Sequence, residues 1–354
     1  MADFRFGVWN IEWMNDLFSS DGAVSFKDDD ERIRGPKSGN TVKQRRESIA
    51  GVIEELEVEV LVIVEGANRA TEIQLFFDTD VTGDWSCDVQ PTKGSSQVLA
   101  IAVRTDTGKF SADPFTRIDT SGGQGESRIT KACEDFVFDV DNDGIDEFHR
   151  FERLPIYVEL NLADSSKCRV LGLHLKSKGI FSALEWSQWW KVADANRKKL
   201  LAQCSQIRRK FLDYYLTDAE TKDVPLIVCG DINDGPGFDA SEKRLLGSGI
   251  ERLMGSVWKP DLNLGNALFD ALKPDHRWEI DLSSIHTTSF KDPIFQTYRK
   301  AWIDHVLYSL NQPSRFIEDA VVHEKMASGE KIWKEYPYAS DHFPITVAVS
   351  TPQP

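Results

Sequence analysis

The sequence of 354 residues has no apolar segment long enough to cross a bilayer. Its longest apolar runs, such as residues 60–64, fall far short of the roughly 20 residues that a membrane-spanning helix needs. The first residues, Met-Ala-Asp-Phe-Arg, lack the basic start and apolar stretch of a secretory signal. We therefore expect a cytoplasmic protein with no membrane partner.

Cysteine is sparse, and its spacing argues against two common uses. The five cysteines are dispersed, odd in number and without a Cys-x-x-Cys pair. This pattern favours reduced thiols in a cytosol-like compartment over a disulfide framework or a thiolate zinc site. The cysteines are Cys87, Cys133, Cys168, Cys204 and Cys229.

Positive charge is in deficit, with 42 Lys and Arg against 57 Asp and Glu and a formal net charge of −15. Proteins that coat nucleic acid non-specifically use a basic surface, so this balance argues against that role. It does not exclude enzymatic action on a nucleic acid, because acidic residues at a metal site add to the sum while a cation offsets them locally. No obligate protein partner can be inferred from the sequence.

Short apolar runs alternate with helical periodicity along the chain, which predicts an α/β fold. Strand patterns occur from residues 4–9 to residues 343–349, and a long helical pattern lies between residues 185 and 216. Because strands occur from the first residues to the last, we predict a single domain over residues 1–354. Loop-rich insertions are predicted at residues 16–39 and 111–153.

Polar residues stand where the predicted strands end, and this is the most informative feature of the sequence. Strands of one sheet commonly deliver such residues to a shared edge, where gathered carboxylates repel one another unless protons or a cation intervene. Mostly oxygen ligands, without a thiolate cluster, suit Mg²⁺ or Mn²⁺ better than zinc. The residues are Asn10, Glu12, Glu65, His174, Asp231, Asn233, Asp304, Asp341 and His342.

Each of these residues alone also has an ordinary structural interpretation. An Asn-x-Glu after a strand is typical of a turn or a helix cap, and Glu65 alone fits a cap or a salt bridge. A histidine on a strand, such as His174, is commonly a hydrogen-bonded structural residue. The order of the motifs along the chain is what distinguishes a site from unrelated coincidences.

Taken in order, the motifs resemble those of the endonuclease/exonuclease/phosphatase family. They are Trp-Asn-Ile-Glu, Val-Ile-Val-Glu, Leu-His-Leu-Lys-Ser-Lys, Gly-Asp-Ile-Asn, Trp-Ile-Asp-His and Ser-Asp-His-Phe-Pro. They cover nearly the whole chain, from about residue 4 to about residue 349. The resemblance implies the deoxyribonuclease-I-like fold, a four-layer α/β sandwich of two packed mixed β-sheets flanked by helices.

The resemblance also implies a metal site for Mg²⁺ or Mn²⁺. Glu65 matches the principal metal ligand of the family, with Asn10 and Glu12 beside it at the end of the first strand. Asp341 falls at the position that reaches a metal directly or through water. Two departures concern this site: Glu12 replaces the shorter aspartate of some relatives, and Gly-Ala-Asn follows Glu65 where many members have valine or threonine.

The remaining motif residues match catalytic positions of the family. Asp231 resembles the residue that orients or deprotonates the attacking water, and Asn233 resembles the amide that helps hold nucleophile and phosphate. Asp304 is similar to the aspartate that pairs with the final histidine, here His342. His174 matches a histidine that contacts the scissile phosphate.

Together these roles predict a divalent-metal-dependent phosphodiester hydrolase, a nuclease that acts on DNA with RNA as a second substrate. Lys176 and Lys178 are predicted to lie near the path of the substrate phosphates. Asp234 follows Asn233 where inositol phosphatases of the family have arginine, and the Gln-Glu-Thr-Lys segment of abasic-site endonucleases is missing. Two alternatives stay open: hydrolysis of small soluble phosphoesters, and a catalytically silent binding scaffold.

A further acidic segment has the Asp-x-Asp-x-Asp-Gly spacing of calcium loops. It is no EF-hand, because the twelfth position of the loop is Arg150 instead of glutamate. A separate Ca²⁺ site is one interpretation, and a solvated acidic turn is the other. The candidate calcium ligands are Asp139, Asp141, Asp143 and Asp146.

Overall fold

The first of two six-stranded sheets contains both the first and the last strand of the fold. A computed structural model describes residues 3–37, 39–92, 97–118, 128–180, 185–236, 245, 247–272, 285–291 and 296–351. In this sheet β1 (Asp3–Asn10) lies between β2 (Val60–Gly66) and β16 (Ile345–Ser350). The β1–β2 pair is parallel and the β1–β16 pair is antiparallel. The other members are β3 (Trp85–Gln90), β4 (Val98–Arg104) and β15 (Ile317–Val322).

The second sheet has the order β11-β14-β10-β9-β8-β5. Among the described residues its one parallel pair is that of β9 and β10, and β14 runs antiparallel to β10. Its strands are β5 (Phe110–Arg117), β8 (Ile156–Leu162), β9 (Lys167–His174), β10 (Leu226–Asp231), β11 (Leu264–Asn266) and β14 (Asp304–Ser309). Two small hairpins lie outside both sheets: β6 (Phe136–Phe138) with β7 (Glu147–His149), and β12 (Thr288–Lys291) with β13 (Tyr298–Ala301).

The helices flank the sheets. The helix α1 begins after Thr41, whose side chain accepts a hydrogen bond from the Gln44 amide while the Gln44 side chain accepts from the Thr41 amide, a capping box. The helix α4 continues through a π-helical turn, Arg208–Leu212, into α5. The described helices are α1 (Val42–Leu56), α2 (Ala70–Asp80), α3 (Arg128–Ala132), α4 (Trp186–Ile207), α5 (Asp213–Tyr215), α6 (Gly249–Met254), α7 (Ala267–Ala271) and α8 (Ile332–Glu335), with 3₁₀ turns at Met14–Leu17 and Pro260–Leu262.

Three apolar cores lie between the layers of secondary structure and hold them together. Alternate residues of the two sheets, such as Val62 of β2 and Ile227 of β10, meet in a central core between the sheets. A second core joins the outer face of the first sheet to α1 and α2, and a third joins the outer face of the second sheet to α4. The layers therefore run helix, sheet, sheet, helix. The predicted four-layer α/β sandwich is confirmed.

Most of the predicted elements lie where the periodicity placed them, including the long helix between residues 185 and 216. Residues 111–153 are more regular than predicted, because they hold most of β5 together with α3 and the β6–β7 hairpin. The period of β5 is obscured by a register shift between Phe110 and Phe115. Residues 119–127 and Ser38 of the two predicted insertions lie outside the described residues. In the part of the chain that the structure describes, no helix has both the length and the apolar character to cross a membrane.

Candidate active site

The predicted site residues converge on one edge shared by the two sheets. The parallel pair β1 and β2 ends in Asn10 and Glu65, and the parallel pair β9 and β10 ends in His174 and Asp231. Parallel strands deliver their carboxyl ends to the same edge, as in other α/β sites. The antiparallel strand β14 starts there, with Asp304 directly opposite Asp231.

Asp231 lies at the centre of this edge and is almost fully buried. Its Oδ1 accepts a hydrogen bond from the Asn233 amide at 2.9 Å, and its Oδ2 accepts from Asn10 Nδ2 at 3.2 Å. The second bond joins the two sheets. Burial, followed by the nearby charge of Asp304, raises the pKa of Asp231 to about 7.

His342 is held by Asp304 in a charged pair. The His342 Nδ1 lies 2.8 Å from Asp304 Oδ2, and Trp9 Nε1 donates to the His342 carbonyl at 3.0 Å. The Thr287 hydroxyl accepts from the Asp304 amide at 3.0 Å. Burial alone lowers the pKa of His342, but Asp304 outweighs it and holds that pKa well above its usual range. His342 is therefore an imidazolium at neutral pH.

His174 has the opposite protonation state. Its Nε2 lies 3.7 Å from Asp231 Oδ2 and 3.9 Å from Glu65 Oε1. Burial, followed by the charges of Arg153 and His342, lowers the pKa of His174 well below its usual range. Its Nδ1 is buried with no hydrogen-bond partner among the described residues. His174 is thus a neutral imidazole with one ring nitrogen unsatisfied.

Glu12, Glu65 and Asp341 form the acidic part of the site. Burial, followed by the charges of Asp341 and Glu65, raises the pKa of Glu12 to about 7. Glu12 Oε2 and Asp341 Oδ1 are buried atoms without a hydrogen-bond partner among the described residues. Unpartnered carboxylate oxygens that repel one another are what a hard divalent cation satisfies. Their oxygen donors suit the implied Mg²⁺ or Mn²⁺, although the three residues do not all bring ligand atoms within 4.8 Å of one another.

A second set of potential ligands fits a metal less well. Asp231, Asp304 and His342 each offer a ligand atom within 4.8 Å of the others. A histidine binds a metal as neutral imidazole, whereas Asp304 keeps His342 protonated. The protonation of His342 therefore argues against this set as a metal site.

Four site residues have left-handed backbone conformations. The φ angles are 54° for Glu12, 59° for Trp13, 59° for Glu65 and 58° for Asn233. Such conformations cost of order 1–3 kcal/mol for residues other than glycine and persist where the surroundings enforce them. Glu65 lies at the point where the register of β2 against β4 shifts. The surrounding structure therefore holds the backbone in these costly conformations at the positions of the site residues.

Three polar residues near the site were missed by sequence reasoning: Arg45, Gln97 and Arg153. Arg45 is fully buried and donates to the Ile11 carbonyl at 2.7 Å and to the Glu12 carbonyl. In the sequence, Arg45 falls on the apolar face of α1, at helical spacing from Val42 and Ile49. A charged residue on that face was the signal that could have identified it. Gln97 and Arg153 precede strands in sequence and carry no such signal.

The two predicted phosphate-contacting lysines differ in their surroundings. Lys178 Nζ lies 2.7 Å from Asp234 Oδ1, and Asp234 is buried and accepts from the amides of Gly249 and Ile250 at the start of α6. An ion pair therefore competes with the predicted phosphate contact of Lys178. Lys176 is half-buried, and burial lowers the pKa of its ammonium group. Its backbone amide donates to Gln203 Oε1 at 2.9 Å.

The predicted calcium segment forms a compact acidic turn. Asp139, Asp141 and Asp143 bring ligand atoms within 4.8 Å of one another, whereas Asp146 is exposed and not part of that group. Asp139 accepts from the amides of Asp143 and Gly144 at 3.2 and 2.9 Å. Asp141 pairs with the Lys198 ammonium group at 2.9 Å. Existing donors thus serve part of this group, whereas Asp141 Oδ1 is buried without a hydrogen-bond partner among the described residues, and binding of Ca²⁺ stays a prediction.

No family model matches the chain, and no curated protein matches it significantly in sequence. Among solved structures, the AP endonuclease of Leishmania major superposes with a TM-score of 0.55 and 12% identity, covering 99% of this chain and 88% of that chain. An endonuclease/exonuclease/phosphatase family protein of Bacteroides thetaiotaomicron gives 0.48 and 12%, over 98% and 97% of the two chains. The mannosyl-6-phosphatase of the same organism gives 0.49 and 14%, over 98% and 100%.

The superposition on the AP endonuclease defines the class of fold, since it covers nearly all of both chains. The chain has the deoxyribonuclease-I-like fold. The resemblance that the ordered motifs indicated is confirmed at the level of the fold.

Proposed function

We propose that the chain is a divalent-metal-dependent phosphodiesterase, with DNA as its substrate and RNA as a second one. One observation carries the proposal. Asp231, a carboxyl group whose pKa is about 7, lies beside the protonated His342. Two neighbouring titratable groups whose environments shift their pKa values so that one accepts and the other donates a proton are typical of a general base and a general acid.

Asp231 acts as the base. Two hydrogen bonds, from the Asn233 amide and from Asn10 Nδ2, fix the plane of its carboxylate. A pKa of about 7 lets the group accept a proton from an attacking water near neutral pH and release it afterwards. In this proposal Asn233 keeps the carboxylate in place while the water attacks phosphorus from the opposite side to the leaving oxygen.

His342 acts on the phosphate. Because its Nδ1 is bonded to Asp304, the proton on Nε2 is the one available to a substrate. That nitrogen donates a hydrogen bond to a phosphate oxygen as negative charge develops. His174 is neutral and offers Nε2 on the same side as Asp231 and Glu65, where it contacts the phosphate or assists the leaving group.

Glu12, Glu65 and Asp341 hold the cation in this proposal, with Asn10 beside them. A bound Mg²⁺ or Mn²⁺ supplies positive charge to a non-bridging phosphate oxygen. Asn10 Oδ1 accepts from the Glu12 amide at 2.9 Å and keeps a second lone pair for a further partner.

One observation favours a nucleic acid as substrate, and a second favours an enzyme over a binding scaffold. The solved structure with a TM-score of 0.55 is named an AP endonuclease. A binding scaffold without activity would predict losses among the site residues, whereas all nine motif residues are present.

Incubation with supercoiled plasmid DNA tests the proposal. We expect nicking that requires Mg²⁺ or Mn²⁺, stops with EDTA and falls by ~10²–10⁴-fold in Asp231→Asn. The matched control is Asp113→Asn, an exposed aspartate on β5, which should cleave like the wild type. Hydrolysis of bis(p-nitrophenyl) phosphate without plasmid cleavage would move the substrate to small phosphoesters. Inactivity on both would favour the scaffold.

A further inference from the structure

Gln97 connects Glu65 to a buried arginine. Gln97 Nε2 donates to Glu65 Oε2 at 2.7 Å, and Gln97 Oε1 accepts from Arg153 Nη1 at 2.9 Å. A guanidinium group donates only, so the amide oxygen of Gln97 must face Arg153. This leaves the amide nitrogen for the carboxylate of Glu65. Both ends of the Gln97 side chain are thereby fixed.

Arg153 reaches from this amide to the second sheet. Its Nε donates to the His174 carbonyl at 3.3 Å, and its Nη2 donates to the Leu175 carbonyl at 2.7 Å. The Leu175 carbonyl also accepts from Asn233 Nδ2 at 3.2 Å. One planar guanidinium group therefore links Gln97, at the start of β4 in the first sheet, to the end of β9 in the second.

The same contacts divide the two oxygens of Glu65 between different tasks. Oε2 accepts from Gln97 and, at 3.1 Å, from the Trp13 amide. Oε1 receives neither bond and lies toward His174, 3.9 Å from its Nε2. A carboxylate held by two donors on one oxygen presents the other oxygen in a defined direction.

We propose that Gln97 and Arg153 are positioning residues that aim Glu65 Oε1 at the divalent cation. The inference rests on the proposed metal-dependent function and extends it to residues outside the acidic part of the site. Hydrogen-bond partners of metal ligands commonly change metal affinity by about 10- to 100-fold when they are removed. The guanidinium group of Arg153 acts on Glu65 through Gln97. It holds the side-chain amide of Gln97 in the orientation that points Nε2 at Glu65 Oε2.

Calorimetric titration with Mn²⁺ tests the role of Gln97. Gln97→Met keeps the length of the side chain and removes both hydrogen bonds, and we expect Mn²⁺ to bind about 10-fold more weakly. Gln74→Met is the matched control, because Gln74 bonds Asp78, the Trp85 carbonyl and the Cys87 amide on α2 and β3, outside the site. It should bind Mn²⁺ like the wild type.

A kinetic measurement separates positioning from general damage. In Gln97→Met the Mn²⁺ concentration for half-maximal hydrolysis of bis(p-nitrophenyl) phosphate should rise by the same factor as the calorimetric Kd. The rate at saturating Mn²⁺ should fall far less. Arg153→Lys keeps the charge but loses the planar fork, so it should weaken Mn²⁺ binding too.

The outcomes distinguish this inference from the proposed function. Wild-type Mn²⁺ affinity in Gln97→Met and Arg153→Lys would overturn the inference alone. Equal weakening in Gln97→Met and Gln74→Met would also overturn it, because the effect would then be one of stability. A wild-type protein that binds no Mn²⁺ would contradict the proposed function and remove the basis of the inference with it.

Discussion

Asp304 sets the protonation of two residues at once. Its charge raises the pKa of His342 well above the ordinary 6.5 and also raises the pKa of Asp231, which burial has already increased. A neutral residue at this position should lower both. The acid and the base would then no longer hold their complementary states near neutral pH.

We therefore expect Asp304→Asn to lose ~10²–10⁴-fold in rate near neutral pH. Both limbs of the pH–rate profile should move to lower pH, since both pKa values fall. The control is Asp270→Asn. In the wild type the Asp270 carboxylate accepts a hydrogen bond at 2.6 Å from the hydroxyl of Tyr308, which lies on β14 like Asp304 but away from the site. An unchanged profile in Asp304→Asn would contradict the assigned roles.

The same pair also contributes to stability, with a definite sign. The folded-state pKa of His342 lies above its ordinary value of 6.5, so its contribution is complete below about pH 6.5 and is lost as the pH rises through the raised value. Asp304→Asn should remove this dependence from the free energy of unfolding in urea, measured across that range.

The positions of the motif residues at the site could be predicted from the sequence. The residues that hydrogen-bond to them could not. Asn10, Glu65 and Asp231 could be identified because each interrupts an apolar run with a polar side chain at a strand end. Gln97 and Arg153 lie 56 positions apart and make contact only after the two sheets have packed. No local pattern encodes that contact, since it depends on the spacing between the sheets.

At the scale of elements, β10 needs a glycine to bring Asp231 into place. Gly230 has φ +129°, and a Cβ there would lie 2.0 Å from the Leu173 carbonyl oxygen of the adjacent β9. Both the conformation and the space exclude a larger residue. Gly230 directly precedes the proposed base, so its backbone conformation sets the position of Asp231.

Gly230→Ala should lower the free energy of unfolding by about 3 kcal/mol or more, from the strained φ and the overlap together. Gly144→Ala separates these causes, because Gly144 has φ +84° but nothing within 4 Å of the added Cβ. Urea denaturation measures both variants. Equal losses would show that the contact with β9 adds nothing to the cost of the backbone conformation.

Elements with a clear period were predictable, and those without one were not. The strand β1 and the helix α4 follow from apolar residues at spacings of two and about 3.6, and the strands β2 and β10 follow from short continuous apolar runs. β5 escaped prediction because Pro114 and the register shift interrupt its alternation. Its pairing with β8 supplies the order that its own sequence does not express.

For the whole molecule, the acidic site couples folding to pH and, in the proposed function, to a divalent cation. The pKa values of Glu12 and Asp231 are raised to about 7 from ordinary values of 4.5 and 3.8. The stability from these carboxyl groups is complete below about pH 4 and is lost as the pH rises through about 7. A divalent cation that takes the place of these protons restores it.

Mn²⁺ should therefore raise the melting temperature more at about pH 8 than at about pH 5.5, relative to EDTA. Differential scanning calorimetry of the wild type and of Glu12→Gln provides the measurement. The variant should show a weaker dependence on pH without metal and a smaller shift with it. A wild-type shift of equal size at both pH values would contradict the linkage.

The overall architecture could be predicted because motifs that resemble those of a known family occur in the family's order along nearly the whole chain. Periodicity alone gave an α/β fold, and the resemblance implied two packed sheets. The charge of −15 gave no such guidance, because it sums acidic groups at the site with those on the surface.

The pairing of β1 with β16 places residues from opposite ends of the sequence side by side, with Asp3 opposite Ser350. Asn10 is translated 331 positions before Asp341, because these residues stand at positions 10 and 341. A nascent chain that stops short of Asp341 has neither a complete acidic cluster nor the final histidine. In the proposed function, activity would therefore arise only after the strands from β1 to β14 have all been translated.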